Sequence, residues 1–217
     1  MRTKTLLLTA VLSAAGIAAS LAQGTVYSVN AVGYVNKTLV PGFQLIANPL
    51  NNTAANGNTV GNLFQAVPDG TTLYKFNPAT SQFSGYSFDF GAWASPGQTL
   101  VPGEGAFIFI PGSANVTVTF VGDVMQGTTP PLTTQIPRGF SIAASQVPLA
   151  GLLQTDLGYV PSEGDTVYVF NAALQKYEGR AYEFGAWSLQ PNLEIGQSVF
   201  INSVDAKTWT KSFTVNN

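Results

Sequence analysis

Between residues 116 and 120 apolar and polar side chains alternate, with Val116, Val118 and Phe120 on one side and Thr117 and Thr119 on the other. A period of two puts the two sets on opposite faces of a β-strand, and the polar face places this strand near a sheet edge. Between residues 167 and 170 both sets are apolar, Val167 and Val169 against Tyr168 and Phe170, which predicts a central strand covered on both faces. Thirteen prolines and 22 glycines cut the chain into short segments at turns such as Pro41-Gly42, Asp69-Gly70, Pro96-Gly97, Pro102-Gly103 and Pro111-Gly112. Helix has room only at residues 59–66 and 149–157, two turns at most in each.

The pattern occurs twice. Phe90, Gly91, Ala92 and Trp93 return as Phe184, Gly185, Ala186 and Trp187, a shift of 94 residues, and Tyr74, Phe76 and Asn77 return as Tyr168, Phe170 and Asn171 at the same shift. Gly42 and Phe43 match Gly139 and Phe140, and the stretch from Gly103 to Ile108 matches Gly196 to Ile201. Val32, Gly33, Tyr34 and Val35 resemble Val121, Gly122, Asp123 and Val124, which sets the expected boundary near Phe120 and Val121. The prediction is an all-β protein of two tandem, similar β-sandwich or barrel-like units, residues 23–120 and 121–217, with at most one short helix each. The second opens with an extended connector, 122–135, that includes Thr128, Thr129, Pro130 and Pro131. Two contacting β-domains are the expected outcome.

Residues 1–22 read as an export signal: Arg2 and Lys4 at the start, an apolar run, and Ser20, Leu21, Ala22 as a small-x-small cleavage site. No later stretch approaches the ~20 apolar residues of a spanning helix, so no helical membrane anchor is expected in the mature chain. The about 195 residues that remain can bury roughly 70% of their unfolded surface without disulfides, and there is no cysteine to form any. Export without disulfides points to a bacterial protein, periplasmic, surface-held or extracellular. Net charge is −2 and becomes −4 once Arg2 and Lys4 depart, with no basic cluster, so nucleic acid is not an expected partner. Charged residues are only 9% of the chain against the ~25% of ordinary domains. Such a polar, nearly uncharged surface suits a wall-associated, fibrous or matrix protein.

Catalytic residue types are scarce. There is no histidine, so the Gly139-Phe140-Ser141 stretch, which faintly resembles a nucleophile elbow, lacks its usual base. Thiolate and imidazole metal sites are excluded with cysteine and histidine, and no cofactor is expected. Carboxylates are the remaining acid–base groups, and a glycosidase needs two about 5 to 10 Å apart. Asp89 and Glu183 occupy equivalent positions, one per unit, Glu104 corresponds to Gln197, and Asp69 to Ser162 or Glu163; no pair recurs within both units. Asp69-Gly70 and Glu163-Gly164-Asp165 are matched loops with oxygen ligands, but they lack the DxDxDG spacing of a calcium loop and read as turns. Gly103-Glu104-Gly105 precedes a strand and is no nucleotide loop. The expectation is a non-enzyme.

Aromatic residues give the other candidate site. Tyr86 with Trp93 and Tyr182 with Trp187 form one local group per unit. Flat aromatic faces stack on sugar rings, and two linked weak sites gain avidity; the competing reading is a pair of core tryptophans beneath a glycine bend.

The order of Gly42, Phe43, Leu45, Ile46, Pro49, Trp93, Pro102, Gly103, Gly105 and Phe107 resembles β-repeat modules of uncharacterised secreted and surface proteins of environmental bacteria. The likeness covers most of the mature chain and implies a secreted β-module, with no activity attached. In the second unit Ser141, Ala143 and Ser145 dilute the first strand and Ser198 replaces the second glycine. The function expected is an exported, non-catalytic β-repeat protein with a structural or adhesive role at the cell surface or in extracellular matrix. Its partners would be surface or matrix components, glycans or further copies of itself. The alternatives are a carbohydrate-binding module using Tyr86, Trp93, Tyr182 and Trp187, and a small outer-membrane barrel. The barrel reading is weakened by the absence of a terminal aromatic and by the short segments.

Overall fold

The computed structural model describes residues 31–215; the export signal expected at 1–22 lies outside them. The described residues are all-β, with one helical turn among them. The first half runs β1 (Val32–Leu39), β2 (Gly42–Ala47), α1 (Val60–Leu63), β3 (Thr71–Asn77), β4 (Gln82–Asp89), β5 (Ala92–Trp93), β6 (Gly105–Ile110) and β7 (Val116–Asp123). The second runs β8 (Gly127–Ile136), β9 (Gly139–Ala143), β10 (Gly151–Leu152), β11 (Thr166–Asn171), β12 (Lys176–Glu183), β13 (Ala186–Trp187), β14 (Asn192–Leu193), β15 (Val199–Ser203) and β16 (Lys207–Phe213).

Both halves have the same antiparallel plan. A five-stranded sheet of order β2-β6-β3-β4-β5 is matched by β9-β15-β11-β12-β13, and the ribbon β1-β7 by β8-β16. In each half the ribbon covers one face of the sheet, and the residues between them form a core. The first core joins Leu39, Val118 and Phe120 of the ribbon to Ile46, Leu73 and Ile108 of the sheet. The second joins Ile136 and Trp209 to Val167, Val199 and Ile201. As the alternation predicts, β11 is central in its sheet and β7 has β1 as its one partner strand. The described sheets are open, with edges at β2, β5, β9 and β13.

Four local expectations differ from the observed strands. Strand β7 runs through Phe120 and Val121 to Asp123, so the expected boundary falls inside a strand. The two Val-Gly segments are partners and not equivalents: Gly33 faces Gly122 and Tyr34 faces Val121 across the ribbon. Both glycines are there because the chain at Leu50 to Asn52 presses on the ribbon. A Cβ on Gly33 would lie 2.6 Å from Leu50 Cδ2, and one on Gly122 2.7 Å from the Asn51 carbonyl carbon. The connector expected at 122–135 is mostly strand β8, paired with β16; between the Leu132–Lys211 and Gly127–Phe213 pairs the register shifts, which accommodates Pro130 and Pro131 without ladder donors. Of the two helical segments, 59–66 contains α1, whereas 149–157 forms strand β10 and a turn. Gly151 sits at φ 145°, and the Leu152 N–H donates to Asp156 Oδ2 at 2.8 Å instead of to a helical carbonyl.

The halves meet through a pseudo-two-fold junction. The Ala47 N–H donates to Gly196 O at 2.9 Å, and its counterpart, the Ala144 N–H, donates to Gly103 O at 3.0 Å. At the centre Gly105 meets Ser198, its own equivalent, whose hydroxyl donates to Ile46 O at 3.0 Å. The outward sheet faces close on each other through matched edge-on rings: Phe107 against Phe170 at 5.2 Å and 88°, Phe200 against Phe76 at 5.0 Å and 86°. Each such pair contributes roughly 0.5–1.5 kcal/mol beyond its buried area. Gln175 adds a two-point bond to the edge of β2, accepting from the Phe43 N–H at 2.8 Å and donating to Phe43 O at 2.9 Å. Lys37 pairs with Glu194 at 2.6 Å.

The contact at the axis leaves no space: a Cβ on Gly105 would lie 2.5 Å from both Ile142 Cγ2 and Ser198 Cβ. Gly105→Ala is expected to cost about 2 kcal/mol by overpacking, and Ser198→Gly in the same chain to recover part of it. Thermal unfolding of the single and double variants measures both.

Candidate functional site

Strands β4 and β5 are joined by a two-residue turn, Phe90-Gly91, with Asp89 opposite Ala92. Strands β12 and β13 are joined in the same way by Phe184-Gly185, with Glu183 opposite Ala186. Both residues of each turn have positive φ, 54° and 75° in the first and 54° and 76° in the second. This is the type I′ hairpin, whose favoured sequence is Asn-Gly or Asp-Gly. A phenylalanine there carries the left-handed penalty of roughly 1–2 kcal/mol.

Carboxylates hold the turns. The Gly91 N–H donates to Asp69 Oδ1 at 2.9 Å, while Glu163 accepts from the Phe184 N–H at 2.8 Å and the Gly185 N–H at 2.6 Å. The two loops considered for calcium are thus turn anchors. The rings they carry point into solvent: Phe90 is 99% exposed and Phe184 98%. Twice among the described residues a large apolar side chain stands on a strained turn with its ring almost wholly in solvent.

The tryptophans beneath are placed otherwise than a sugar platform requires. Trp93 is 7% exposed; its indole N–H donates to Phe64 O at 3.0 Å and its ring packs on Phe88 and Phe64. Trp187 is half-buried, donates to Gln154 Oε1 at 2.9 Å, and lies edge-on to Tyr182 at 5.3 Å. Tyr86 packs against the first core. All four belong to the fold's interior and its margin, because the period of the hairpin turns them inward and the turn residue outward. The quartet Phe-Gly-Ala-Trp did mark the place, but its first residue, not its last, is presented to solvent. The available signal was a Phe-Gly pair standing where a hairpin calls for Asn-Gly.

A second feature lies where the halves meet. The outward sheet faces carry alternating aromatics, and their closure leaves a cleft of about 520 Å³ lined by Phe43, Tyr74, Phe83, Phe107, Phe170 and Tyr177, with Gln175 among them. A smaller one, about 170 Å³, is lined by Phe140, Tyr168, Tyr177 and Phe200. The larger belongs to the size class of ligand sites, and its lining has the apolar, aromatic character of one. Tyr74 and Tyr168 lie beside Gly85 and Gly179 on the neighbouring strands, and a Cβ would come within 3.1 Å and 3.4 Å of the respective rings. Burial pushes the Tyr177 phenol up, so its hydroxyl stays protonated at neutral pH.

Two further carboxylates, Glu104 and Asp165, have structural partners. Glu104 pairs with Lys75 at 3.1 Å and accepts from the Val101 N–H; its counterpart Gln197 accepts from the Glu194 N–H at 3.0 Å. Asp165 is fully buried in the second core. It accepts from Lys207, from the Tyr159 hydroxyl at 2.9 Å and from the Ser162 and Val204 N–H groups, each at 2.9 Å. Burial opposes its ionisation, but these bonds outweigh burial and hold the carboxyl below its ordinary range. Burial, reinforced by Asp165, pushes the Tyr159 phenol far up. Ser141 of the elbow-like stretch is buried on β9; its Oγ has no hydrogen-bond partner among the described residues.

Comparison with known proteins finds no matching family, no matching curated protein and no matching solved structure.

Replacing Phe90 and Phe184 by Asn gives each turn its preferred residue. The double variant is expected to be more stable by about 1 kcal/mol per site, read as a rise in Tm; a fall would show that the rings support the fold. Asp165→Asn is expected to cost about 3 kcal/mol by leaving Lys207 unpaired. Because the folded carboxyl has the lower pKa, the wild-type gain is present above the unfolded value of about 3.9 and is lost as pH falls below it. Urea midpoints from pH 7 down to pH 3 should therefore fall more steeply for wild type than for Asp165→Asn.

Proposed function

We propose that this chain is an exported, non-catalytic β-repeat protein that acts by contact, in a structural or adhesive role at the cell surface or in extracellular matrix. The observation that carries this reading is the pair of fully exposed phenylalanines on turns that would be more stable with asparagine. A residue kept twice against the interest of the fold is kept for what it touches. The clefts between the halves add an aromatic receiving surface, and the low charge leaves little else for a partner to recognise. Glycan stacking on Trp93 is not part of this reading, since that ring is enclosed.

Fractionation of the producing cells tests it. The protein is expected in the envelope or matrix fraction, and Phe90→Asn/Phe184→Asn is expected to release most of it while leaving expression and folding unchanged. Hydrolysis of a polysaccharide or ester by the purified chain, abolished by one carboxylate substitution, would overturn the non-catalytic role.

A further inference from the structure

Strand β2 is an edge of its sheet, and one step of that edge is left open between the halves. The Phe43 N–H and carbonyl are taken by Gln175, and the Ala47 N–H by Gly196 O. Backbone groups of alternate residues point the same way in an antiparallel strand, so the Leu45 N–H and carbonyl, midway between, also face away from β6. Neither has a partner among the described residues. Leu45 is 4% exposed, and backbone groups so withdrawn from water are ordinarily paired. They adjoin a cleft of about 350 Å³ that Leu45 lines with Lys37, Thr38, Gln44, Phe170 and Gln197.

The side chains repeat the signal. Gln44 is 7% exposed; its amide nitrogen donates to Val40 O at 2.8 Å, and its Oε1 accepts from nothing among the described residues. Gln197 Oε1 accepts from the Glu194 N–H, which leaves its Nε2 a donor without an acceptor among the described residues.

We infer that this cleft is a binding site for a neutral sugar, which docks two adjacent hydroxyls on the Leu45 N–H and carbonyl. The inference rests on the contact role above and gives it a ligand class, at a site apart from the hairpin tips. Gln175 shows what this edge accepts: a single group that receives the N–H of one residue and donates to the carbonyl of the same residue. A vicinal diol does both, because each hydroxyl donates or accepts. An added peptide strand would pair at every second residue, and the positions about 7 Å to either side of Leu45 are already held by Gln175 and Gly196. The cleft's own charges, Lys37 and Glu194, pair with each other at 2.6 Å, so an ionic ligand finds no unpaired countercharge there. Gln44 Oε1 and Gln197 Nε2 offer a neutral acceptor and donor to further hydroxyls. Phe170 lines both this cleft and the larger aromatic one, so a sugar chain anchored at Leu45 continues along the rings with its apolar C–H faces against them.

Amide hydrogen exchange resolved by NMR on the purified exported chain tests the inference, with cellotetraose, laminaritetraose and mannotetraose as probes. In the free protein the Leu45 N–H is expected to exchange faster than those of Phe43 and Ala47. One or more of the probes should slow it about tenfold, and the same oligosaccharide with its hydroxyls methylated should not. Gln44→Leu is expected to weaken binding about tenfold, and Thr38→Trp, at an exposed position of the lining, to abolish it, with circular dichroism confirming both folds. Phe90→Asn/Phe184→Asn should bind as wild type does. Failure of all the probes to protect Leu45 overturns the inference, as does binding indifferent to both cleft substitutions. Protection by the tripeptide Ala-Gln-Ala and by no sugar also overturns it, in favour of a protein carboxamide. A chain that ignores the sugars yet stays in the envelope fraction through its tips would defeat the sugar site and leave the contact role intact; one that binds sugar but is recovered free in the medium would do the reverse.

Discussion

The closure of one aromatic sheet face on the other is the constraint on which the molecule depends. Each half buries one face of its five-stranded sheet under its own ribbon, and the other face carries Tyr74, Phe76 and Phe107 or their counterparts Tyr168, Phe170 and Phe200. Left alone, a half would expose that row to water. Antiparallel sheets commonly leave one face solvated, with polar residues there; these do not, so the halves are committed to each other. The reciprocal bonds from Ala47 to Gly196 and from Ala144 to Gly103 set the relative position, and the ring pairs fill the space. The fit is incomplete at the periphery, and the clefts are what remains.

Symmetry explains where the halves had to diverge. On a two-fold axis a residue meets its own equivalent, so Gly105 and Ser198 occupy one site: two serines would crowd it, and two glycines would forgo the bond to Ile46 O. Elsewhere differences come in sets. Lys75 with Glu104 in the first half corresponds to Val169 with Gln197 in the second, the cation and the anion disappearing together while the turn bond to residue 104 or 197 persists. Thr71, which bonds to Pro68 O at 2.7 Å, corresponds to Asp165, whose buried charge came with Lys207 and Tyr159 to balance it. A buried carboxylate without them would be several kcal/mol too costly.

Fold class and the pairing of equivalent segments were legible because both follow from local periodicity. Alternation at residues 116–120 and the doubly apolar run at 167–170 translate directly into edge and centre. Less legible was anything decided by long-range pairing. Val32-Gly33 and Val121-Gly122 look like a repeat, yet they match because opposite strands cross under the same crowding chain at Leu50 to Asn52. Prolines 130 and 131 disguise β8 as a linker, since the bulge that tolerates them depends on β16, some eighty residues later. The candidate site was less legible for another reason: recurrence shows that Phe-Gly-Ala-Trp is kept, not which side chain faces out. That is settled by the two-residue turn, which reverses the chain between Phe90 and Trp93 and sends one ring to solvent and the other to the core.

Retention and divergence can then be set against each other. Buried polar networks differ between the halves, so the fold tolerates more than one solution inside. The hairpin tips do not differ: the same residue, the same φ angles to within a degree and the same near-complete exposure occur in both, although the loops anchoring them have changed from Asp69 to Glu163. An arrangement rebuilt from different acidic residues still presents the same ring at the same positive φ, and under the contact role proposed above its outward face is what holds it constant. Stability would have favoured asparagine at either site. The interior accounts for how the two halves stand together, and under the proposed contact role the tips are the part of the pair that meets a partner.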